Sequence, residues 1–233
     1  DSGLLELRDV NAQTVTINSR GNDAQQEGYE KLDLVARNGV DINRLAVSKL
    51  RELTIKGSGN VEIANLTSGA ANEFNQLVVG GVGSGVTATN TLGFTKLDAS
   101  ALKGKLTADV SAIAGEWIDP TDSAIFLKTA IIGTDNDDTI YTRTVGGRTS
   151  IDGGKGKDKL VLVDANVGRN GRGEIAQITN IESLEARTQG VNAQTVDFDA
   201  LDNTVEQVLV RDEFANNAMS TFTFNNVTKE FAD

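Results

Sequence analysis

The sequence contains no cysteine and no histidine, and it has only one proline and one methionine in 233 residues. Without cysteine there is no disulfide scaffold and no thiol nucleophile, and without histidine the usual zinc and copper ligands are missing. Any bound metal ion must therefore be held by oxygen atoms. The sequence also lacks a run of eighteen apolar residues, so it predicts no transmembrane helix and no membrane insertion.

Basic residues are outnumbered by acidic ones, 22 to 33, which gives a net charge of −11. This charge argues against nucleic acid as a partner and suits divalent cations, although an acidic surface also keeps a protein soluble. The chain begins at Asp1 without a methionine or a signal peptide. We therefore expect a processed product or a piece of a longer protein.

The motif with the narrowest chemical meaning is Gly-Gly-x-Gly-x-Asp-x-Leu at residues 153–160. Its glycines permit the positive φ angles that let carbonyl oxygens converge in a tight turn, and Asp158 adds a carboxylate. Leu160 follows in a strand and is expected to point inward. Because Ca²⁺ takes six to eight oxygen ligands, one such turn supplies half a site, and a second turn should lie nearby.

A degenerate copy of this motif lies twenty residues earlier, at residues 133–140. In it, Asp138 matches Asp158 and Ile140 matches Leu160. We predict a calcium site built on the two turns, with Asp138 and Asp158 as its main carboxylate ligands. Further candidate ligands are Asp135, Asp137 and Asp152. The alternative is that these aspartates cap turns, as aspartate often does beside glycine.

Short alternating segments recur through the rest of the chain. Units that combine Leu-x-(Leu/Ile/Val), a Gly-, Asn- or Ser-containing turn and a second alternating segment start at residues 32, 53, 77 and 97, and a further one starts at residue 208. The hexapeptide Val-Asn-Ala-Gln-Thr-Val occurs twice, at residues 10–15 and 191–196. Strands stacked at such a period bury one aliphatic column.

The repeats predict an all-β fold, either a β-solenoid or a parallel β-helix or β-roll, with a short calcium-binding segment. An all-β sandwich shows similar strand spacing and is the alternative. We predict one continuous domain with β repeats at 1–118, the calcium segment at 119–165 and further β repeats at 166–233. The glycine-rich stretch 80–85 lacks the ending of a phosphate loop, so we interpret it as a turn between repeats.

The two turns resemble the nonapeptide repeats of RTX proteins, in which calcium lies between stacked turns of a parallel β-roll. Together with segments 97–107 and 178–184, they make roughly residues 32 to 210 similar to calcium-dependent surface-layer proteins that Gram-negative bacteria export by type I secretion, the Caulobacter S-layer family. A regular roll repeats every nine or eighteen residues, so a spacing of twenty implies one or two ions and no long roll. The resemblance implies that main-chain carbonyls complete the calcium shell, at Gly133, Gly153, Lys155 and Gly156.

The leading hypothesis is a non-enzymatic, calcium-dependent structural protein that self-assembles outside the cell as an S-layer, filament or biofilm matrix. Its partners would be copies of itself and, as a second candidate, a surface polysaccharide. The first alternative is an adhesin or carbohydrate-binding segment of a larger type I secreted protein. The second alternative is a polysaccharide-degrading β-solenoid enzyme that works with paired carboxylates.

Overall fold

A computed structural model describes most of the chain, namely residues 2–12, 15–17, 29–47, 50–64, 66–68, 94–111, 118–119, 122–126, 128–143, 145–188, 193–212 and 220–228. In these residues the regular secondary structure is almost entirely β-strand. Its largest sheet has 13 strands and is open, because its outermost strands do not pair with each other. None of the described residues belongs to a helix long and apolar enough to span a bilayer.

The strands are short, apart from two long ones at the start of the chain. In order they are β1 (Ser2–Ala12), β2 (Val15–Ile17), β3 (Lys31–Ile42), β4 (Leu45–Val47), β5 (Glu52–Gly57), β6 (Val61–Ile63), β7 (Leu66–Ser68), β8 (Lys96–Leu102), β9 (Leu106–Asp109), β10 (Ile118–Asp119), β11 (Asp122–Phe126), β12 (Thr129–Thr134), β13 (Thr139–Thr142), β14 (Thr149–Gly154), β15 (Lys159–Val163), β16 (Gln177–Thr179), β17 (Ser183–Thr188), β18 (Ala193–Asp197), β19 (Gln207–Asp212) and β20 (Thr221–Asn225). A 3-10 turn at Phe198–Ala200 follows β18.

The large sheet consists of two parallel ladders that meet in the long strand β3. The first half of β3 pairs with β5, and this ladder continues through β8, β12, β14 and β16; we call it the upstream ladder. The second half of β3 pairs with β6, and this ladder continues through β9, β13, β15, β17 and β19; we call it the downstream ladder. β1 pairs in parallel along the length of β3. One repeat is therefore an upstream strand, a turn and a downstream strand.

Parallel pairing distinguishes this sheet from a β-sandwich, whose strands run antiparallel. Between the described strands the one antiparallel pair is β10 with β11, outside the large sheet. Two smaller parallel sheets, β2-β4-β7 and β18-β20, extend some repeats by a third strand. The parallel, in-register pairing that the repeats predicted is present in the structure.

The register agrees with most of the predicted repeats. Leu32 lies opposite Leu53, and Leu53 lies opposite Leu97, as their shared place in the Leu-x-(Leu/Ile/Val) pattern predicts. The predicted unit at residue 77 lies outside the described residues, as does the glycine-rich stretch 80–85. β5 pairs directly with β8, and Leu53 lies opposite Leu97 in adjacent strands. The spacing of 20 to 24 residues between neighbouring units therefore does not hold for this pair of strands.

Residues with positive φ angles form the bend that divides the two long strands. Asp9 in β1 has φ 52° and Asn38 in β3 has φ 63°. Aspartate and asparagine tolerate this left-handed conformation better than other non-glycine residues. The pairing of β1 with β3 shifts register between Arg8 and Val10, at this bend. In later repeats the chain changes direction at the same place through a full turn between two separate strands.

Inward-facing aliphatic side chains from both ladders form one core. In the downstream ladder Ile63, Ala108, Ile140, Leu160 and Leu184 lie opposite one another in successive repeats and are fully buried. An equivalent column of the upstream ladder packs into the same cluster, at Leu32, Leu53, Leu97, Ile131, Ile151 and Ile178. Each fully buried leucine or isoleucine stabilises the fold by about 1.5–3 kcal/mol relative to an exposed one, so the stabilisation by the core grows with each added repeat. This core holds the turns in register.

Candidate functional site

The two turns that carry the predicted calcium motif lie directly against each other. Thr134 pairs with Gly154 at the end of the upstream strands, and Ile140 pairs with Leu160 at the start of the downstream strands. The sequence alignment of residues 133–140 with 153–160 is therefore confirmed as spatial register. Glycine is required where the turns touch, because a Cβ on Gly133 would lie 2.2 Å from the Gly153 carbonyl oxygen.

Asp138 is buried, and the structure places both of its carboxylate oxygens on hydrogen-bond donors. Oδ1 accepts from the Leu106 N–H at 2.8 Å and from the Thr134 hydroxyl at 2.9 Å. Oδ2 accepts from the Thr134 N–H at 2.5 Å. Burial raises the pKa of Asp138 above its ordinary value, and these hydrogen bonds oppose the shift. The side chain joins its own turn to the preceding repeat.

Asp158 occupies the equivalent position one repeat later with fewer partners. Its Oδ1 accepts from the Asp138 N–H at 2.7 Å, whereas its buried Oδ2 has no hydrogen-bond partner. Gly154 replaces Thr134 and brings no hydroxyl, and the Gly154 N–H donates to Asp152 instead. Burial, opposed by the hydrogen bond from Asp138 and reinforced by the negative charges of Asp138 and Glu182, raises the pKa of Asp158 to about 7.

The other predicted carboxylates lie on the outside of the turns and contact donors or cations. Asp135 forms an exposed ion pair with Lys155 at 2.9 Å. Asp137 accepts from the Lys157 N–H at 3.0 Å and pairs with Lys105, and these contacts lower its pKa. Asp152 accepts from the Gly154 N–H and from the Asn180 side-chain amide at 2.7 Å. These three aspartates therefore have other partners than Asp138 and Asp158 have.

The predicted carbonyl ligands belong to the same two turns. Gly156 has φ 127°, which only glycine adopts readily, and a Cβ there would meet the backbone of Asn136 and Asp137. Gly153 is held against Asp158 and the Asn180 carbonyl, each within 2.8 Å of the position of its missing Cβ. Lys155 donates its N–H to the Thr134 carbonyl at 3.0 Å. Glycine here serves the close approach of successive turns.

At Asp138, hydrogen-bond donors compete with a calcium ion for the carboxylate oxygens. A calcium ligand must offer free oxygen lone pairs to the cation, and both oxygens of Asp138 face N–H or O–H groups. Across the described parts of the chain, no three acidic side chains are grouped in a way that would hold a metal ion. Among the predicted calcium ligands that the structure describes, the buried carboxylate oxygen without a hydrogen-bond partner is Asp158 Oδ2. Calcium binding stays a prediction of the sequence motif.

Glu182 continues the series of carboxylates formed by Asp138 and Asp158, and no sequence motif marked it. Its Oε2 accepts from the Asp158 N–H at 2.7 Å, just as Asp158 accepts from Asp138. One position in each repeat stands at the start of the downstream strand or directly before it. We call these positions the turn column; they are Val40, where the second half of β3 begins, Val61, Leu106, Asp138, Asp158 and Glu182. An acid two residues before the inward leucine, as in Asp158 with Leu160 and Glu182 with Leu184, is the signal that would have found it.

A cationic group surrounds a buried carboxylate on the outer face of the downstream ladder. Glu185 is fully buried and lies 2.5 Å from Lys159, 2.6 Å from Arg187 and 3.2 Å from Arg211. Burial favours its protonated form, but the hydrogen bonds from Lys159 and Arg187 outweigh this and lower its pKa. The Arg187 guanidinium also stands 5.8 Å from the Tyr141 ring centroid. We call Lys159, Arg187 and Arg211 the cationic group.

A groove of about 490 Å³ lies along the first repeats, lined among others by Asp9, Asp41, Glu62 and Lys105. Asp41 and Glu62 lie opposite each other on adjacent strands. Burial, and next the charge of Asp41, raises the pKa of Glu62 above its ordinary value. A glycoside-cleaving enzyme uses two paired acids, and Asp41 with Glu62 is a pair of adjacent acids that no sequence motif marked.

Searches found no match to this chain among protein-family models, curated proteins or solved structures. The likeness to RTX-type surface-layer proteins therefore rests on the quoted motifs alone and stays a prediction. With it remain the predictions of secretion, of cell-surface location and of a role without catalysis.

Proposed function

We propose that this chain is a structural protein, a β-solenoid whose copies stack end to end outside the cell. One observation carries the proposal: apolar side chains that pack against the core reach both ends of the ladder and stay only partly buried there. At one end these are Leu5, Leu7 and Val10 of β1; at the other they are Val205, Val208 and Phe224. Among the described strands, β1 pairs only with β3 and β19 pairs only with β17, so each has one edge without a described strand partner.

The two ends are complementary because they are opposite edges of one parallel ladder. Within the chain, Ala12 lies opposite Ile42, and Leu184 lies opposite Val208, in the same inward column. A second copy that placed Ala12 opposite Val208 would continue this column with unchanged strand direction. A contact between two different surfaces propagates without closing, which suits a filament or a sheet-like matrix. Unpaired strand edges supply the hydrogen-bonding groups for such growth.

Mixing two variants, each with one blocked end, tests this function. Leu7→Glu places a charge at the β1 end, and Val208→Glu places one at the β19 end. We expect the wild-type chain to form larger particles as its concentration rises, each variant alone to stay monomeric, and an equimolar mixture to form dimers, measured by sedimentation velocity. Leu4→Glu is the matched control, because Leu4 is 70% exposed on the same strand and points away from the core.

A wild-type monomer at all concentrations, or a mixture without dimers, would contradict end-to-end stacking. Circular dichroism of each variant excludes loss of fold as the cause of a monomer. The same series in calcium and in chelator tests the calcium prediction separately. Assembly in both solutions supports metal-independent stacking, and assembly in calcium alone supports the calcium-dependent form that the motif predicts.

The cationic group favours the second candidate function, a carbohydrate-binding segment. Three cationic side chains meet at one carboxylate, Glu185, on a chain whose net charge is −11. An acidic polysaccharide is the ligand that such a group would attract. Retention of the wild-type chain, but not of Arg211→Ala, on an immobilised uronic acid polymer would support this function over the structural one.

A further inference from the structure

The turn column changes its chemistry halfway along the ladder. In the early repeats it holds aliphatic residues, Val40, Val61 and Leu106, and in the later ones it holds acids, Asp138, Asp158 and Glu182. The register is continuous across this change, because Thr107 pairs with Thr139 directly after Leu106 and Asp138. The same structural position is therefore served by two kinds of side chain.

The hydrogen-bond acceptor at this position changes together with the side chain. The Val40 N–H donates to the main-chain carbonyl of Asn60, and the Val61 N–H donates to the carbonyl of Lys105, each at 2.9 Å and each in the next repeat. The Leu106 N–H has its acceptor in the next repeat too, but that acceptor is the Asp138 carboxylate at 2.8 Å. A side-chain oxygen has taken the place of a main-chain oxygen.

Two further contacts repeat this replacement. The Asp138 N–H donates to the Asp158 carboxylate and the Asp158 N–H donates to the Glu182 carboxylate, both at 2.7 Å. At Glu182 the direction of bonding reverses, since the Glu182 N–H donates to the Asp158 carbonyl at 3.1 Å and the Glu206 N–H donates to the Glu182 carbonyl at 2.8 Å, each in the preceding repeat. Carboxylates bridge the stretch of ladder where the motif turns stand between the strands.

We propose that Asp138, Asp158 and Glu182 form a metal-free carboxylate ladder, in which each acid replaces the missing main-chain acceptor for the N–H of the preceding repeat. The RTX-like turns of this chain are then closed by hydrogen bonds where the motif suggests calcium. The contacts at Asp138 that compete with a cation are the ones that the ladder uses. This proposal is independent of end-to-end stacking, since it concerns contacts within one chain.

Hydrogen exchange at single-residue resolution tests the ladder, because the effect of each acid should appear one repeat upstream. In the presence of chelator, we expect the amide protons of Leu106, Asp138 and Asp158 to be protected in the wild-type chain. In Glu182→Ala the Asp158 amide should exchange at least about tenfold faster, the size expected for one lost hydrogen bond. In Glu182→Gln it should stay protected, because glutamine keeps an acceptor oxygen.

The glutamine variant separates the two roles that an acid can have here, since loss of the negative charge weakens a calcium ligand but leaves a hydrogen-bond acceptor in place. Glu206→Ala is the matched control, an acid one repeat further on whose own N–H bonds to Glu182; it should leave the Asp158 amide unchanged. Asp138→Ala should expose the Leu106 amide, 32 residues away in sequence.

Three results would overturn the ladder. The first is protection of the three amides in calcium but not in chelator. The second is an Asp158 amide that stays protected in Glu182→Ala. The third is exchange in Glu182→Gln as fast as in Glu182→Ala. Glu182 is only partly buried, so its variants test the ladder even if Asp138→Ala fails to fold.

Discussion

The Asp138 and Asp158 turns occupy the same place in successive repeats and differ in how well their carboxylates are satisfied. Asp138 accepts three hydrogen bonds, two of them from Thr134. Asp158 accepts one, and its second oxygen is buried without a partner, because the residue aligned with Thr134 is Gly154. One motif thus provides either a satisfied or an unsatisfied carboxylate: the N–H and the hydroxyl of Thr134 both donate to Asp138, whereas Gly154 has no hydroxyl and its N–H donates to Asp152.

The largest expected effect comes from the feature that the two turns share. Gly133→Ala would place Cβ 2.2 Å from the Gly153 carbonyl oxygen, and Gly153→Ala would place it 2.0 Å from the Asn180 carbonyl oxygen. Because backbone atoms cannot move aside cheaply, we expect each variant to lose about 3 kcal/mol or more of unfolding free energy in denaturant titrations. Gly168→Ala should be close to neutral, since no atom lies within 4 Å of its Cβ position. Equal stability of all three variants would refute the close approach of the turns.

Removing each carboxylate in turn tests the difference between the two turns. Asp138→Ala leaves two N–H groups and a hydroxyl without their acceptor, so we expect a loss of about 2–4 kcal/mol at pH 7. Asp158→Ala leaves only the Asp138 N–H and also removes an unpaired oxygen, so its loss should be about 1 kcal/mol. Thermal and denaturant unfolding in chelator measure both. A larger loss for Asp158→Ala would reverse the comparison.

The pH dependence of stability should distinguish the two acids as well. The pKa of Asp158 is about 7 in the folded chain and 3.8 when unperturbed, so folding takes up a proton between these values. Stability from this group is therefore highest below about pH 4 and falls as the pH rises to 7. We expect the wild type to gain about 1–3 kcal/mol relative to Asp158→Asn between pH 8 and pH 5. The same gain in both chains would assign the effect to other groups.

The smallest loss of stability should come from changing Thr134, the residue at which the two turns differ. Thr134→Val removes the hydroxyl that donates to Asp138 and accepts from the Asn136 N–H, while the Thr134 N–H remains. We expect a loss of about 1 kcal/mol. Thr139→Val, on the neighbouring half-buried position of β13, should change stability less. If the two variants are equal, the Thr134 hydroxyl does not support Asp138.

Much of the ladder could be predicted from sequence because register in a parallel stack follows alternating side chains. Leu32, Leu53 and Leu97 share a pattern and share a column. The pattern could not reveal that β5 pairs directly with β8, because a Leu-x-(Leu/Ile/Val) pattern describes a segment and not its neighbour. Identical hexapeptides also differ: Val10 to Ala12 end β1, whereas Ala193 begins β18. Pairing partners decide where a strand starts.

The residue types of the two motifs predicted which turns meet, and the calcium role assigned to them stays a prediction. Glycine and aspartate in the two motifs correctly indicated tight turns in contact. What the sequence could not show is that the Asp138 oxygens face N–H groups, one of which belongs to Leu106, 32 residues earlier. Such a contact depends on which strands are adjacent. The predicted calcium role and the carboxylate ladder use the same atoms, and the exchange experiment decides between them.

The direct pairing of β5 with β8 has a consequence for how such a chain can change in length. Residues bonded between adjacent levels are 20 apart at Asp138 and Asp158, 24 apart at Asp158 and Glu182, and 44 apart at Arg51 and Thr95. Each level nevertheless adds about 4.8 Å of height, the spacing between paired strands. The height of the protein is counted in levels and not in residues. Foreign sequence inserted between β7 and β8 would therefore be displayed at a fixed height without changing the distance between the two ends.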